Sequence, residues 1–339
     1  MLARKQQAEK CLALWKSDVF FFMLPSALEE AWLPARVASS FGVQMQFIRD
    51  IYTHNEKTGK PVISFEFSPP KTDDGVRNLL DKHIPALREA RPDYCSVTYG
   101  AGGGTRDKTL AIVEAIQRQH GLTALAHLTC VNHTRAEIQA ILDNIRALGC
   151  KNILALRGDP PGGGEFRLTP GGFEFSAQLV KFIRAAGDFC VGVAGFPEGH
   201  VANPSGRRDD WQHLREKVNA GADFVLTQLF FDNADYFEFR DYVAGKLGVR
   251  APLVPGIIPI VNARQIINFT QRCGAKIPPP LRARLDEIGE DEAAAMKFGI
   301  EYATRQCEEL LHAGVPGLHF YTLNKAPATV QVLKNLGLA

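Results

Sequence analysis

What this chain lacks narrows its class. Nothing in it approaches the roughly 20 apolar residues of a membrane span; the longest apolar run near its start covers only residues 19–24. No block of like charge stands out either. Lys and Arg number 39 against 37 Asp and Glu, a formal net charge of +2, so neither nucleic acid nor a membrane surface is an expected partner and small molecules are the default ligand. There is no C-x-x-C pair or Cys/His cluster to hold zinc, and no metal is expected. The seven cysteines, Cys11, Cys95, Cys130, Cys150, Cys190, Cys273 and Cys307, are odd in number, widely spaced and mostly set in apolar runs. That is the pattern of reduced core thiols, and a cytoplasmic location follows from it. Two nucleotide and nucleophile signatures are also missing. The run at 100–105, G-A-G-G-G-T, has glycines without the G-x-G-x-x-G spacing of a Rossmann site, and no G-x-S-x-G announces a serine hydrolase.

What is present divides at Met45. Residues 1–44 mix short apolar stretches with Lys16, Asp18, Glu29 and Glu30, which makes a poor secretory signal and a poor transit peptide. The expectation is a poorly defined N-terminal extension at 1–44, with the protein proper starting at or near Met45, followed by a single catalytic domain over 45–339.

From Val62 onward, short β-rich runs alternate with segments of helical period. Strands are expected at 62–70, 94–100, 124–130, 152–156, 190–194, 224–230, 253–258 and 318–323. Helices are expected at 75–90, 108–120, 135–149, 177–186, 211–220, 236–246, 263–272, 291–312 and 328–336, with a proline-bearing connection at 278–280. The helix at 135–149 is the clearest: Ile138, Ile141, Leu142 and Ile145 form an i, i+3, i+4, i+7 stripe. Eight β/α units without a second-domain signal make an α/β fold of (β/α)8 TIM-barrel type, in which parallel strands need helical crossovers. An open doubly wound sheet is the alternative.

In a barrel the site lies at the carboxyl ends of the strands, and those ends are polar throughout. Glu66, Thr98, Tyr99, His127, Thr129, Arg157, Asp159, Phe196, His200, Thr227, Gln228, Tyr321, Asn324 and Lys325 all fall there. Glu66 is the oddity among them. It interrupts V-I-S-F-E-F-S-P-P, a period-two strand stopped by Pro69 and Pro70. Taken alone, that stretch allows an edge-strand carboxylate facing water or a partly dry one with a raised pKa, suited to general-acid work. Barrel closure turns Phe65 and Phe67 toward the helices and Ser64, Glu66 and Ser68 toward the interior and rim, so the second alternative is expected.

Six strings carry a resemblance: S-F-E-F-S-P-P (64–70), S-V-T-Y-G-A (96–101), A-H-L-T-C (126–130), A-L-R-G-D-P (155–160), G-A-D-F-V-L-T-Q-L-F-F (221–231) and G-L-H-F-Y-T-L-N (317–324). Together they resemble the catalytic barrel of methylenetetrahydrofolate reductases, in order across about 60–337, without the regulatory domain of eukaryotic members. The resemblance implies a flavoprotein that binds FAD, oxidises NADH or NADPH, and reduces methylenetetrahydrofolate to methyltetrahydrofolate for methionine synthesis. It makes Glu66 the general acid, protonating a folate nitrogen so that the five-membered ring opens to an iminium, which takes hydride from the flavin. It makes Asp159 the carboxylate that tunes flavin and folate. Thr98, Tyr99, Ala101, His127, Arg157, Gly158, Asp159, Ser176, Phe196, His200, Asp210 and Lys217 fall on flavin-binding positions. Gln228, Gln265, Phe269, Tyr321 and Lys325 fall on positions for folate or nicotinamide. A homo-oligomer is expected.

Four positions depart from the bacterial pattern: Phe196 replaces a Tyr, His213 an Asn, Glu216 an Arg, and Lys325 an Arg, exchanging a planar fork for a point charge. The alternative function is a lyase or aldolase on the same barrel. Apart from Lys325, no lysine stands at a strand end to form a Schiff base.

Overall fold

The strands are rich in β-branched and aromatic residues, and each is long enough for one layer of a barrel: β1 (Val62–Phe67), β2 (Tyr94–Val97), β3 (Thr123–Thr129), β4 (Asn152–Leu156), β5 (Cys190–Gly195), β6 (Phe224–Leu229), β7 (Leu253–Ile257) and β8 (Gly317–Tyr321). All pair in parallel with their sequence neighbours, and β8 returns to β1, closing an eight-stranded barrel. The fold is the expected TIM barrel. The computed structural model describes residues 45–100, 106–160, 164 and 166–339; the expected extension at 1–44, and Ala101 with its glycine-rich loop, lie outside the described residues.

Helices cover the outer face. In chain order they are α1 (Ile48–Thr58), α2 (Asp73–Asn78) and α3 (Ile84–Arg88), joined by a π-helical turn at Leu79–His83, then α4 (Arg106–Arg118), α5 (Arg135–Ala147), α6 (Ser176–Ala186), α7 (Arg207–Asn219), α8 (Asn233–Gly245), α9 (Ala263–Cys273), α10 (Pro279–Ile288), α11 (Glu292–His312) and α12 (Pro327–Asn335). Helix α5 shows how local sequence sets a boundary. Thr134 and Glu137 form a reciprocal capping box at its start, and the predicted stripe of Ile138, Ile141, Leu142 and Ile145 is buried against the barrel. Phe65 and Phe67 point into that same outer layer, as expected for alternate residues of β1.

Three features differ from the sequence expectation. Strand β1 stops at Phe67, before the prolines: the Ser68 N–H donates to Asn324 Oδ1 and the Ser68 carbonyl accepts from Asn324 Nδ2, so an asparagine side chain replaces the ladder there. The prolines at 278–280 begin a helix instead of merely connecting two, because a proline in the first turn of α10 has no N–H to leave unpaired. Helix α1 was not expected at all.

That helix seals the amino-terminal end of the barrel. Its Ile48, Ile51 and Tyr52 pack on inward residues near the strand starts, including Val62, Tyr94 and Phe224. Its first-turn N–H groups, which no helix can satisfy internally, are taken by strand residues: Ile48 N donates to Asn152 Oδ1 at 2.9 Å and Arg49 N to Cys190 Sγ at 3.2 Å. The Tyr52 and Tyr94 hydroxyls lie 2.9 Å apart inside the seal. Small residues make room for the large ones. A Cβ on Gly192 would stand 2.5 Å from the Phe224 ring, and one on Gly256 2.6 Å from the Tyr321 ring. The cysteines at 95, 130, 150, 190 and 307 are buried and unbridged.

Ile48 is fully buried, so Ile48→Ala should lower unfolding free energy by about 2–5 kcal/mol, the usual range for opening a core cavity. Urea denaturation of the two proteins would check it, and a loss under about 0.5 kcal/mol, the surface-substitution range, would mean that the seal bears little of the fold's stability.

Candidate active site

Strand β1 delivers Glu66 to the carboxyl-terminal mouth of the barrel. Its side chain is 16% exposed, and Oε2 lies 3.6 Å from Nε2 of both His127 on β3 and His319 on β8. Both distances exceed a hydrogen bond. Burial, partly countered by Glu66, pushes the His127 imidazole down to about 4. His127 is therefore neutral near pH 7, and it faces the carboxyl group as a dipole and not as a cation. His319 is fully buried and fixed from below: its Nδ1 lies 2.8 Å from Ser64 Oγ, and its ring stacks on Tyr94 with centroids 6.4 Å apart.

Tyr321 stands beside Glu66 in register on the neighbouring strand, with its hydroxyl donating to the Thr227 carbonyl at 2.7 Å. The Nε2 atoms of His127 and His319, with Ser96 Oγ and Thr129 Oγ1, are buried polar atoms without a protein hydrogen-bond partner among the described residues. They mark the upper interior of the barrel as a place built for polar contact.

A second group gathers over β4 and β5. Lys217, on α7, donates from Nζ to the Ala194 carbonyl at 2.8 Å and lies 5.7 Å from the Phe196 ring centroid. Burial lowers its pKa, Asp210 opposes the shift and Arg157 reinforces it. Asp210 is buried and accepts from the His200 backbone; burial raises its carboxyl while Lys217 and His200 pull it back. His200 is lowered by burial and then by Arg157, with Asp210 and Asp159 acting the other way. The Phe196 and His200 rings meet edge to face at 4.7 Å, and Trp211 Nε1 donates to the Phe196 carbonyl. Phe196, His200, Asp210, Lys217, Arg157 and Asp159 thus occupy one basin.

The remaining predicted residues are placed less centrally. Gly158 adopts φ 81°, and a Cβ there would meet Val131 at 2.7 Å, so glycine is required where the β3 and β4 ends converge. Tyr99 bonds His133 at 3.2 Å; because His133 Nδ1–H donates to the Val131 carbonyl, its Nε2 is the acceptor for the Tyr99 hydroxyl. The Thr98 carbonyl accepts from Thr109 Oγ1. Ser176 is buried in the first turn of α6. The Gln228 side chain accepts from the Leu229 N–H. Gln265 and Phe269 line a groove along α9, and Phe269 packs on the same apolar cluster as Tyr321. Lys325 is exposed, close enough to His83 to lower its pKa, and is not the desolvated amine that a Schiff base needs.

Sequence reasoning missed three contributors. His319 and Ser64 are ordinary strand residues until β8 closes on β1. The third is Glu198, in the loop after β5, whose Oε2 accepts from the Lys276 N–H at 2.8 Å. Burial pushes the Glu198 carboxyl up to about 7, with the nearby Asp235 also raising it. Only the chemistry of a carboxyl two residues from Phe196 and His200 could have drawn notice to it.

The methylenetetrahydrofolate reductase family profile matches residues 51–337. The chain is 40% identical over 291 residues to methylenetetrahydrofolate reductase (NADH) 1 of Arabidopsis thaliana, covering 83% of this chain and 49% of the relative. It is 34% identical over 284 residues to the 5,10-methylenetetrahydrofolate reductase of Pectobacterium carotovorum subsp. carotovorum, covering 84% and 92%. The chain thus spans about half the length of the plant relative. Among solved structures, a Clostridium thermocellum protein described as binding two copies of 5-methyl-5,6,7,8-tetrahydrofolic acid matches in fold, with TM-score 0.61 at 16% identity over 85% of this chain and 97% of that one.

Glu198 supplies a pH test. Its folded pKa is raised above the ordinary carboxyl value of 4.5, so between pH 4.5 and 7 the native state holds a proton that the unfolded chain has released. Its penalty is absent below that window and complete above it. Glu198→Gln should therefore raise unfolding free energy by about 1–3 kcal/mol at pH 8 and leave it unchanged near pH 4. Denaturation of both proteins across that range reads the difference, and equal curves would remove the assignment. His127 tilts both curves the other way, losing stability as pH falls from 6.5 toward 4, and cancels in the comparison.

Proposed function

The chain belongs to the methylenetetrahydrofolate reductase family, and from that premise we propose that it reduces 5,10-methylenetetrahydrofolate to 5-methyltetrahydrofolate, using FAD and NADH or NADPH, in the supply of methyl groups for methionine synthesis. The observation that carries this reading is Glu66: one carboxyl group at the barrel mouth, set between the buried imidazoles of His127 and His319. NADH is the donor named for the plant relative.

The residues present fit a flavin dinucleotide. Arg157 and Lys217 supply cations for a pyrophosphate, Phe196 a flat apolar face, and His127 Nε2 and Thr129 Oγ1 unpaired polar atoms toward the barrel axis. When bound, FAD would carry a hydride from nicotinamide to folate.

The chain's own part is positioning and proton transfer. Glu66 donates its proton to a folate nitrogen, opening the five-membered ring and leaving the one-carbon group electrophilic. Neutral His127 and the Ser64-tethered His319 line the space around that carboxyl. Tyr321, in register with Glu66 on β8, and Gln228 on β6 would orient a pterin, and Asp159, in the loop after β4, would tune flavin and folate. A basin next to a single acid suits two ligands that use the site in turn.

Protein supplied with FAD should show flavin absorbance and oxidise NADH with an artificial acceptor. Glu66→Gln should cut folate reduction by about 10²–10⁴-fold, the range for a positioned general acid, while leaving flavin reduction by nicotinamide nearly intact in stopped flow. An equal loss in both half-reactions would assign Glu66 to structure instead of proton transfer.

A further inference from the structure

The segment after β5 carries a side chain that the proposed chemistry leaves unused. Gly199 N donates to the Phe196 carbonyl and closes a tight turn over 196–199, with Pro197 in the second position that its fixed φ suits. Phe196 and His200, on either side, contribute to the basin with Lys217 and Asp210. Glu198, between them, makes its contacts elsewhere. Its Oε2 accepts from the Lys276 N–H at 2.8 Å, three residues beyond the end of α9, and Asp235 on α8 is close enough to act on its ionisation.

Both flanks of this segment are tied to α7: Trp211 Nε1 donates to the Phe196 carbonyl, and Asn203 Nδ2 to Asp209 Oδ2. Its middle is pressed against neighbours at two glycines. A Cβ on Gly199 would stand 2.7 Å from Arg207 Cα, and one on Gly274 2.7 Å from Val201 Cβ. Among the described residues, the Glu198 bond to Lys276 is the only hydrogen bond from this segment to the connection after α9.

The charges around Glu198 make that bond conditional. Arg207, on α7, is engaged by Asp235 at 3.3 Å and Glu238 at 2.7 Å. The Cys273 thiol on α9 is raised by burial and stays neutral near pH 7. Asp235 and the Lys276 ammonium are left to act on Glu198 directly. Burial, with Asp235 adding to it, sets the Glu198 carboxyl at about 7. The neutral acid accepts from the Lys276 N–H and has a proton to offer the Asp235 carboxylate. The anion faces another anion.

We propose that Glu198 is a positioning residue for the flavin: it anchors the turn bearing Phe196 and His200 to the end of α9, firmly as the neutral acid and loosely as the carboxylate. The inference rests on the reading that FAD binds in the basin, and Glu198 acts on it through its two neighbours.

The test is titration of the flavin-free full chain with FAD from pH 5.5 to 8.5, followed by flavin fluorescence. In Glu198→Gln the side chain is neutral at every pH and keeps both an acceptor for Lys276 and a donor for Asp235. The wild-type Kd divided by that of Glu198→Gln should be near one at pH 5.5 and rise about three- to tenfold by pH 8.5, the size of one net hydrogen bond. The midpoint should fall near 7. His200, Asp210 and Lys217 titrate in both proteins and cancel in the ratio. Glu198→Ala, which has no anchor, should bind FAD more weakly than Glu198→Gln at every pH, and Asp235→Asn should flatten the wild-type rise. A ratio of one throughout, or Glu198→Ala binding as tightly as Glu198→Gln, would overturn the role; should the alanine variant not fold, the pH course of the ratio decides alone. Failure of the wild type to bind FAD at any pH would instead overturn the flavin reading beneath it.

Discussion

A carboxyl group inside a closed sheet has few groups to face, and the upper half of this barrel is arranged around that constraint. The polar atoms that face Glu66 are Nε2 of His127 and of His319, each 3.6 Å away and beyond hydrogen-bond reach. Those imidazoles need fixing in turn. Ser64 takes Nδ1 of His319 and the Tyr94 ring lies against its face. Tyr94 is joined to Tyr52 of the seal. A column of polar contacts therefore runs from the amino-terminal seal to the proposed acid, within an interior whose other residues are largely apolar.

The basin beside it obeys a different balance. Lys217, Asp210, His200 and Arg157 are close enough for each to move another's ionisation. Cations and anions interleave there, Lys217 and Arg157 set against Asp210 and Asp159. That composition suits a large ligand carrying phosphates at one end and a flat ring at the other. The acid and the basin are delivered by separate strands, β1 for one and β4 with β5 for the other.

Most of the barrel was legible in the sequence because its period is local. Phe65 and Phe67 face outward and Ser64 and Glu66 inward, as alternation demands, and the stripe on α5 is buried as its spacing predicts. The features that escaped are set by partners far away in the chain. Helix α1 buries only Ile48, Ile51 and Tyr52, too short a stripe to read among the polar residues between them. Helix α10 hid behind prolines that read as a break although they fit a first turn. His319 acquires its role only when β8 pairs with β1, and Glu198 only when Lys276 is brought to it from another helix connection. The motifs named the residues around Glu66 but could not give the depth at which it sits.

The seal has a consequence for how the chain acquires its structure. Helix α1 precedes every strand, yet its first-turn N–H groups are satisfied by Asn152 and Cys190, 104 and 141 residues further along. A growing chain cannot complete this helix's contacts until β4 and β5 have been made, and β1 must wait for β8 to lose its open edge. High sequence separation of this kind slows folding and prolongs the exposure of unpaired strand edges. Among the described elements, the helix that precedes every strand is therefore the one whose contacts are finished late.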